Sequence, residues 1–139
     1  MDWSVITLVG SVLIVGVLVF FAILLSQKKS HTFDMVEYQT DFLAIENSLV
    51  KENPMSYNHA IIEADKLLDK ALCEMDVPGK TMGDRLKYIG NKFTQLNSVW
   101  HAHKLRNRIA HEAGFKADYI QAKRALAAFK QALKDLGAI

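Results

Sequence analysis

Val5 to Leu25 is a run of 21 consecutive residues without a charge, and it constrains the chain more than any other feature. About 20 apolar residues at 1.5 Å each cross the hydrocarbon core of a bilayer, so the run predicts a transmembrane helix. A cleaved leader fits it less well. Asp2 is the only charge ahead of the run, the run exceeds a usual leader core, and no small-residue cleavage site follows. Gly10, Ser11 and Gly16 do not give the spacing of a helix-pairing motif. Lys28 and Lys29 follow directly. The excess of positive charge on that side predicts an inner-membrane, single-pass anchor with its N-terminus outside and the rest of the chain in the cytoplasm. Trp3 is then expected at the outer interface. The expected division is an anchor over 1–27, a connector over 28–32 and a helical bundle over 33–139.

The remaining residues divide by charge. Positions 31–78 hold three basic and ten acidic side chains, a net of −7, and positions 79–139 hold twelve basic and four acidic, a net of +8. Two readings fit: acidic helices beside basic ones, or a basic face for a polyanion. The single cysteine, Cys73, falls within an apolar helical pattern. It cannot form an internal disulfide and is expected to be a buried, inert thiol in a reducing compartment.

Beyond the connector every apolar pattern has a helical period. Met35, Tyr38, Phe42, Ile45 and Leu49 form one stripe, ended by Asn53-Pro54. A second helix is expected from about Met55 to Met75, with Ala60, Ile61, Ala64, Leu67, Leu68, Ala71, Leu72 and Met75 inward, and Glu63 and Asp65 flanking the stripe on opposite sides. Val77-Pro78-Gly79 is a break. Thr81 is an N-cap with Asp84 near the first donors, and Met82, Leu86, Ile89, Phe93 and Leu96 predict a third helix, weakened by Gly90. Asn97 or Ser98 is expected to cap a fourth. Asp118 and Gln121 resemble a capping box for a last helix ending at Gly137. Nothing reads as a strand. The fold class is therefore all-α: one transmembrane helix, then an antiparallel bundle of four to five helices joined by short connections.

The segment Val99 to Glu112 holds the chemistry. On a helical wheel Val99, Ala102, Leu105, Ile109 and Ala110 form a core stripe, and Arg106 falls inside it. A charge there is costly unless it is paired. A ridge of Trp100, His103, Asn107 and His111 lies alongside, with His101, Lys104, Arg108 and Glu112 toward solvent. Asp65 or Glu63 of the second helix is the expected partner of Arg106. That pairing alone would explain the arginine structurally, and the helix dipole would explain a histidine at the helix end.

Several chemistries are poorly supported. Gly79-Lys80-Thr81 lacks the earlier glycine and the strand of a phosphate loop. His101, His103 and His111 lack helical zinc spacing, and His59 with Glu63 reads as a surface pair. Cys73 has no triad context. No metal or cofactor is called for.

An arginine, a polar residue and a histidine a few positions on, late in a helical bundle, form the signature of the HEPN superfamily, and Leu105-Arg-Asn-Arg-Ile-Ala-His-Glu112 resembles it closely. Ala60 to Leu68 and Thr81 to Lys87 resemble the earlier helices of small bacterial, membrane-anchored proteins of this kind. The resemblance covers roughly 33–136. It implies a HEPN-like bundle that dimerises and brings two such motifs together. Many members are metal-independent endoribonucleases. In them the arginine and histidine act on the scissile phosphate while the RNA's own 2′-hydroxyl attacks. Carried over, His111 would be the general acid/base, Arg106 would stabilise charge on the phosphorane-like transition state, and Asn107 would orient His111 or the substrate. His103, Lys104 and Arg108 would bind substrate, with Asp65 and Glu63 in support. On one ideal helix Arg106 and His111 point about 140° apart, so convergence calls for a second protomer or a bent helix end. Other members of the superfamily are non-catalytic modules that bind a protein or nucleotide partner or dimerise. That is the competing expectation.

Overall fold

The computed structural model of the protein describes residues 2–26 and 31–139. Positions 28–30 of the expected connector, with Lys28 and Lys29, lie outside the described residues. The chain divides into two units, Met1–His31 and Thr32–Ile139.

The first unit is one helix, α1, Trp3–Ser26. Its span Trp3–Leu25 is long and apolar enough to cross a membrane. At 1.5 Å per residue α1 is about 36 Å long, and its large apolar side chains are exposed.

The second unit is all-helical among the described residues: α2 Met35–Ser48, α3 Pro54–Glu74, α4 Met82–Ile89, a single 3₁₀ turn Gly90–Lys92, α5 Leu96–His111 and α6 Tyr119–Leu136. α3 is the hub, packing against α2, α4, α5 and α6, and α5 also packs on α6. Ile61, Leu68 and Leu72 of α3 are fully buried with Tyr38 and Phe42 of α2, Leu86 of α4, Val99 of α5 and Phe129 and Leu133 of α6. α3 presents its expected apolar face to this core, and so does α4 through Met82, Leu86 and Ile89; of the expected α2 stripe Tyr38 and Phe42 are buried while Met35 is exposed, and of the expected α5 stripe Val99 and Ala102 are buried while Ala110 is exposed.

The helix ends follow local chemistry. The Asn53 side chain accepts from the Met55 amide, with Pro54 in the first turn. Thr81 with Asp84, and Asp118 with Gln121, form complete capping boxes. After α3, Asp76 takes a left-handed conformation (φ 54°), its amide donates to the Cys73 carbonyl, and the Val77 amide donates to the Leu72 carbonyl. This is a Schellman ending, with Val77 buried against the core. α6 closes the same way at Gly137.

Three local expectations are corrected. The third helix does not run on to Leu96: it stops at Ile89, and Leu96 opens α5. Gly90 is buried there, and a Cβ on it would lie 2.9 Å from Leu96 Cδ2, so the bare glycine lets the Leu96 side chain pack directly onto the turn. α5 is not capped by Asn97 or Ser98. Its N-cap is Gln95, which makes no side-chain cap bond. The preceding turn is tied to α6 instead, where Asp135 accepts from the backbone amide (2.7 Å) and hydroxyl (2.9 Å) of Thr94. Finally, Cys73 is exposed rather than buried, since α3 turns it away from its packed face.

Candidate functional site

α3 and α5 pack so that Asp65, one residue past the core position Ala64, faces His103, one residue past the core position Ala102. Both are buried, at 4% and 8% exposure. His103 Nδ1 lies 2.8 Å from Asp65 Oδ1. The carboxylate accepts there, which places a ring proton on Nδ1 and turns Nε2 toward Asn107. Asn107, one turn on, places Nδ2 at 3.3 Å from that Nε2. Its Oδ1 accepts from Arg106 Nη1 at 3.3 Å. Arg106 Nε lies 3.4 Å from Asp65 Oδ2. The four side chains thus form a closed ring, Asp65–His103–Asn107–Arg106, hydrogen-bonded along three sides.

The fourth side is different in kind. Arg106 Nε is buried and makes no hydrogen bond. It sits close enough to the carboxylate for an ion pair without the alignment of a hydrogen bond, so its attraction to Asp65 is coulombic. The Arg106 side chain keeps 29% of its surface exposed. It lines an open groove of about 670 Å³ together with Asp65, His103, Asn107 and His111 of the same constellation. The start of α4, from Thr81 to Asp84, forms another wall, and Trp100 meets the His103 ring edge-on with centroids 6.1 Å apart. A Cβ on Gly83 would come within 3.9 Å of His103 Nε2, so the first turn of α4 closely covers the histidine.

The structure distributes the sequence candidates unevenly. Arg106, Asn107, His103, Asp65 and His111 share one groove, with Lys104 on its rim. His111 is the last residue of α5 and is exposed. Arg108 faces elsewhere: its Nε donates to both Glu112 oxygens at 3.1 and 3.2 Å, and its guanidinium stacks 4.1 Å from the Phe115 ring centroid. Glu63 does not support Arg106. It pairs with Lys66 at 2.8 Å and lines a different groove, between α2 and α3. The helical wheel placed Asp65 and Glu63 equally well, and only the packing of α5 on α3 selects Asp65. His103 is a buried partner of Asp65 rather than an open ligand. Its place beside Ala102 was the available signal.

The helical wheel had already set Trp100 on the ridge of His103, Asn107 and His111, but the other walls of the groove, Thr81, Gly83, Lys66, Asp69 and Lys87, were not singled out as such. They come from α3 and the start of α4, and only the packing of these helices gathers them. Asp69 is held by Arg85 at 2.8 Å. Asp84 is engaged by the Thr81 side chain and amide, and those hydrogen bonds keep its carboxyl below the ordinary value. Among the described residues no group of three or more His, Cys, Asp or Glu side chains is placed to hold a metal ion.

No family model matches this chain, and neither does any curated protein or solved structure.

Proposed function

We propose that the chain is a membrane-anchored, HEPN-like domain that cleaves RNA without a metal. The observation that carries this reading is that Arg106, Asn107 and His111 line one open groove, although an ideal helix sets the arginine and histidine about 140° apart. His111 ends α5, where the backbone leaves the helix and the imidazole is free of the packed face.

In this reading the RNA 2′-hydroxyl attacks the adjacent phosphorus. The 2′-O–P bond forms and the 5′-O–P bond breaks, leaving a 2′,3′-cyclic phosphate and a 5′-hydroxyl. His111 takes the proton from the 2′-hydroxyl and returns it to the departing 5′-oxygen, the general acid/base work of an imidazole. Arg106 faces the charge that builds on the phosphate oxygens, with Asp65 and Asn107 holding its guanidinium in place. A homodimer would bring a second Arg106 and His111 to the groove. α1 would cross the inner membrane with its N-terminus outside, leaving the domain in the cytoplasm.

One observation favours a second reading. Arg106 Nε is buried against Asp65, as expected of an arginine that fixes helix register. On that reading the chain is a non-catalytic module that binds a protein or nucleotide partner.

The test is incubation of a mixed RNA pool with the full chain in detergent micelles and EDTA. The proposal expects products with cyclic phosphate ends that a folded His111→Ala variant does not make. Intact RNA after incubation with the folded, unaltered chain would discard cleavage in favour of the module.

A further inference from the structure

Three grooves adjoin along α5, and Lys104 lines all of them. The first is the candidate site. The second, of about 440 Å³, lies beside it and is lined by Lys87, Trp100 and His101. The third, of about 610 Å³, runs between α5 and α6, with Arg108 and Arg124 on its rim and Ala102, Ala125 and Ala128 in its floor. No Asp or Glu lines the second or the third. Of the three acids of the first, Asp65 is paired with His103 and Arg106 and Asp69 with Arg85, while the Asp84 carboxylate caps α4 by accepting from the Thr81 amide. Lys87, Lys104, Arg106, Arg108 and Arg124 of the basic half thus line these grooves, which pass from the α3–α4 side of α5 to its α6 side.

We propose that these grooves form one track for a single-stranded RNA, with Lys104, Arg108 and Arg124 taking backbone phosphates and Trp100 offering a surface for a base. The proposal rests on the RNA reading of the candidate site and extends it to the path by which substrate reaches Arg106. Cations lining a continuous groove and interrupted by an aromatic side chain are the arrangement that holds unpaired strands. A duplex keeps its bases stacked inside and has no use for the tryptophan. A membrane surface, although anionic, is flat and cannot enter the concavity between α5 and α6. Arg108 already has Glu112 as a partner, but that pair is half exposed on both sides (50% and 51%), so a phosphate competes with it in high dielectric.

The test measures binding of a labelled 2′-O-methyl oligouridine of about 12 nucleotides, which cannot be cleaved, to the full chain in detergent micelles with EDTA. The comparison is the Lys104→Ala/Arg124→Ala double variant, its fold checked by circular dichroism; both side chains are exposed. The expected result is a loss of at least tenfold in affinity, with the slope of log affinity against log salt reduced by about 1.4, the equivalent of two single-strand phosphate contacts. A Trp100→Leu variant is expected to lose affinity without changing that slope. Unchanged affinity and slope in the folded double variant would overturn the track. Polyglutamate that binds as tightly as the oligouridine would also overturn it, in favour of an acidic protein partner. The two proposals fail separately. Oligouridine binding that depends on Lys104 and Arg124, in a chain that leaves ordinary RNA uncut, keeps the track and discards cleavage. Cleavage with an unchanged KM in the double variant keeps cleavage and discards the track.

Discussion

Asp65 of α3 and His103 of α5 meet carboxylate to imidazole at 2.8 Å, their side chains only 6% and 11% exposed. This contact spans 38 positions of sequence and fixes how the helix carrying the candidate site sits on the hub helix. Removing the carboxylate leaves His103 Nδ1 without its acceptor and Arg106 without its counter-charge. Asp65→Ala is therefore expected to cost about 3 kcal/mol of unfolding free energy, the range for breaking a buried ionic network by deleting one partner. Asp65→Asn keeps an acceptor and should cost less. Urea denaturation followed by circular dichroism measures both.

The connection between α3 and α4 depends on a residue with no side chain. Gly79 has φ +145°, and a Cβ there would lie 2.8 Å from the Arg85 backbone nitrogen and 2.8 Å from Asp84 Cβ. Neither atom is the end of a flexible side chain. Gly79→Ala is expected to destabilise the domain by about 2–3 kcal/mol through strain and displacement of the first turn of α4. Chemical denaturation is the measure, and a loss below 0.5 kcal/mol on the order of ordinary surface changes would contradict this account of the turn.

Asp76 has the opposite potential. It occupies the left-handed position that ends α3, with φ 54°, and is exposed. Asp76→Gly removes the cost of a Cβ in that conformation while the Schellman bonds stay in place. The variant is expected to be more stable by about 0.5–1 kcal/mol, read as a raised thermal midpoint.

Acid should loosen the tie between the turn before α5 and α6. Burial raises the Asp135 carboxyl, but hydrogen bonds from Thr94 and Gln131 outweigh it and hold the group below its ordinary 3.8. A depressed carboxyl stabilises the fold fully above the unfolded value and loses that contribution as pH falls through the folded one. The unaltered chain should therefore lose stability below about pH 4. Asp135→Asn should be less stable at neutral pH by about 1–2 kcal/mol and show a shallower decline in acid. Unfolding curves taken across that range decide it.

Those predictions separate what local chemistry dictates from what packing decides. The apolar run of α1, the Asn53-Pro54 start of α3, both capping boxes and the Gly137 ending were legible because each depends on residues within one turn of one another. The break at Gly90 was not, because it depends on Leu96 folding back onto the turn. The outward face of Cys73 was not, because the apolar stripe of α3 is broad and only its neighbours decide which edge they cover. The candidate site was half legible. Arg106 stood out as a charge inside an apolar stripe, and Asp65 was one of its two expected partners. The choice of Asp65 over Glu63, and the burial of His103 against it, follow from the rotation of α5 on α3, which no spacing in either helix specifies.

The central claim is that Arg106 serves the groove and does not merely pin α5 to α3. Arg106→Lys separates these roles, since lysine keeps a positive charge near Asp65 and loses the planar fork that grips a phosphate. The deciding measurement is the rate of RNA cleavage in EDTA by the full chain and by this variant, with the folded fraction of each determined alongside. The account predicts a folded Arg106→Lys chain whose cleavage is slower by about 100-fold or more, equivalent to roughly 2.7 kcal/mol of transition-state stabilisation. A folded variant that cleaves as fast as the unaltered chain would contradict it and return Arg106 to a structural role.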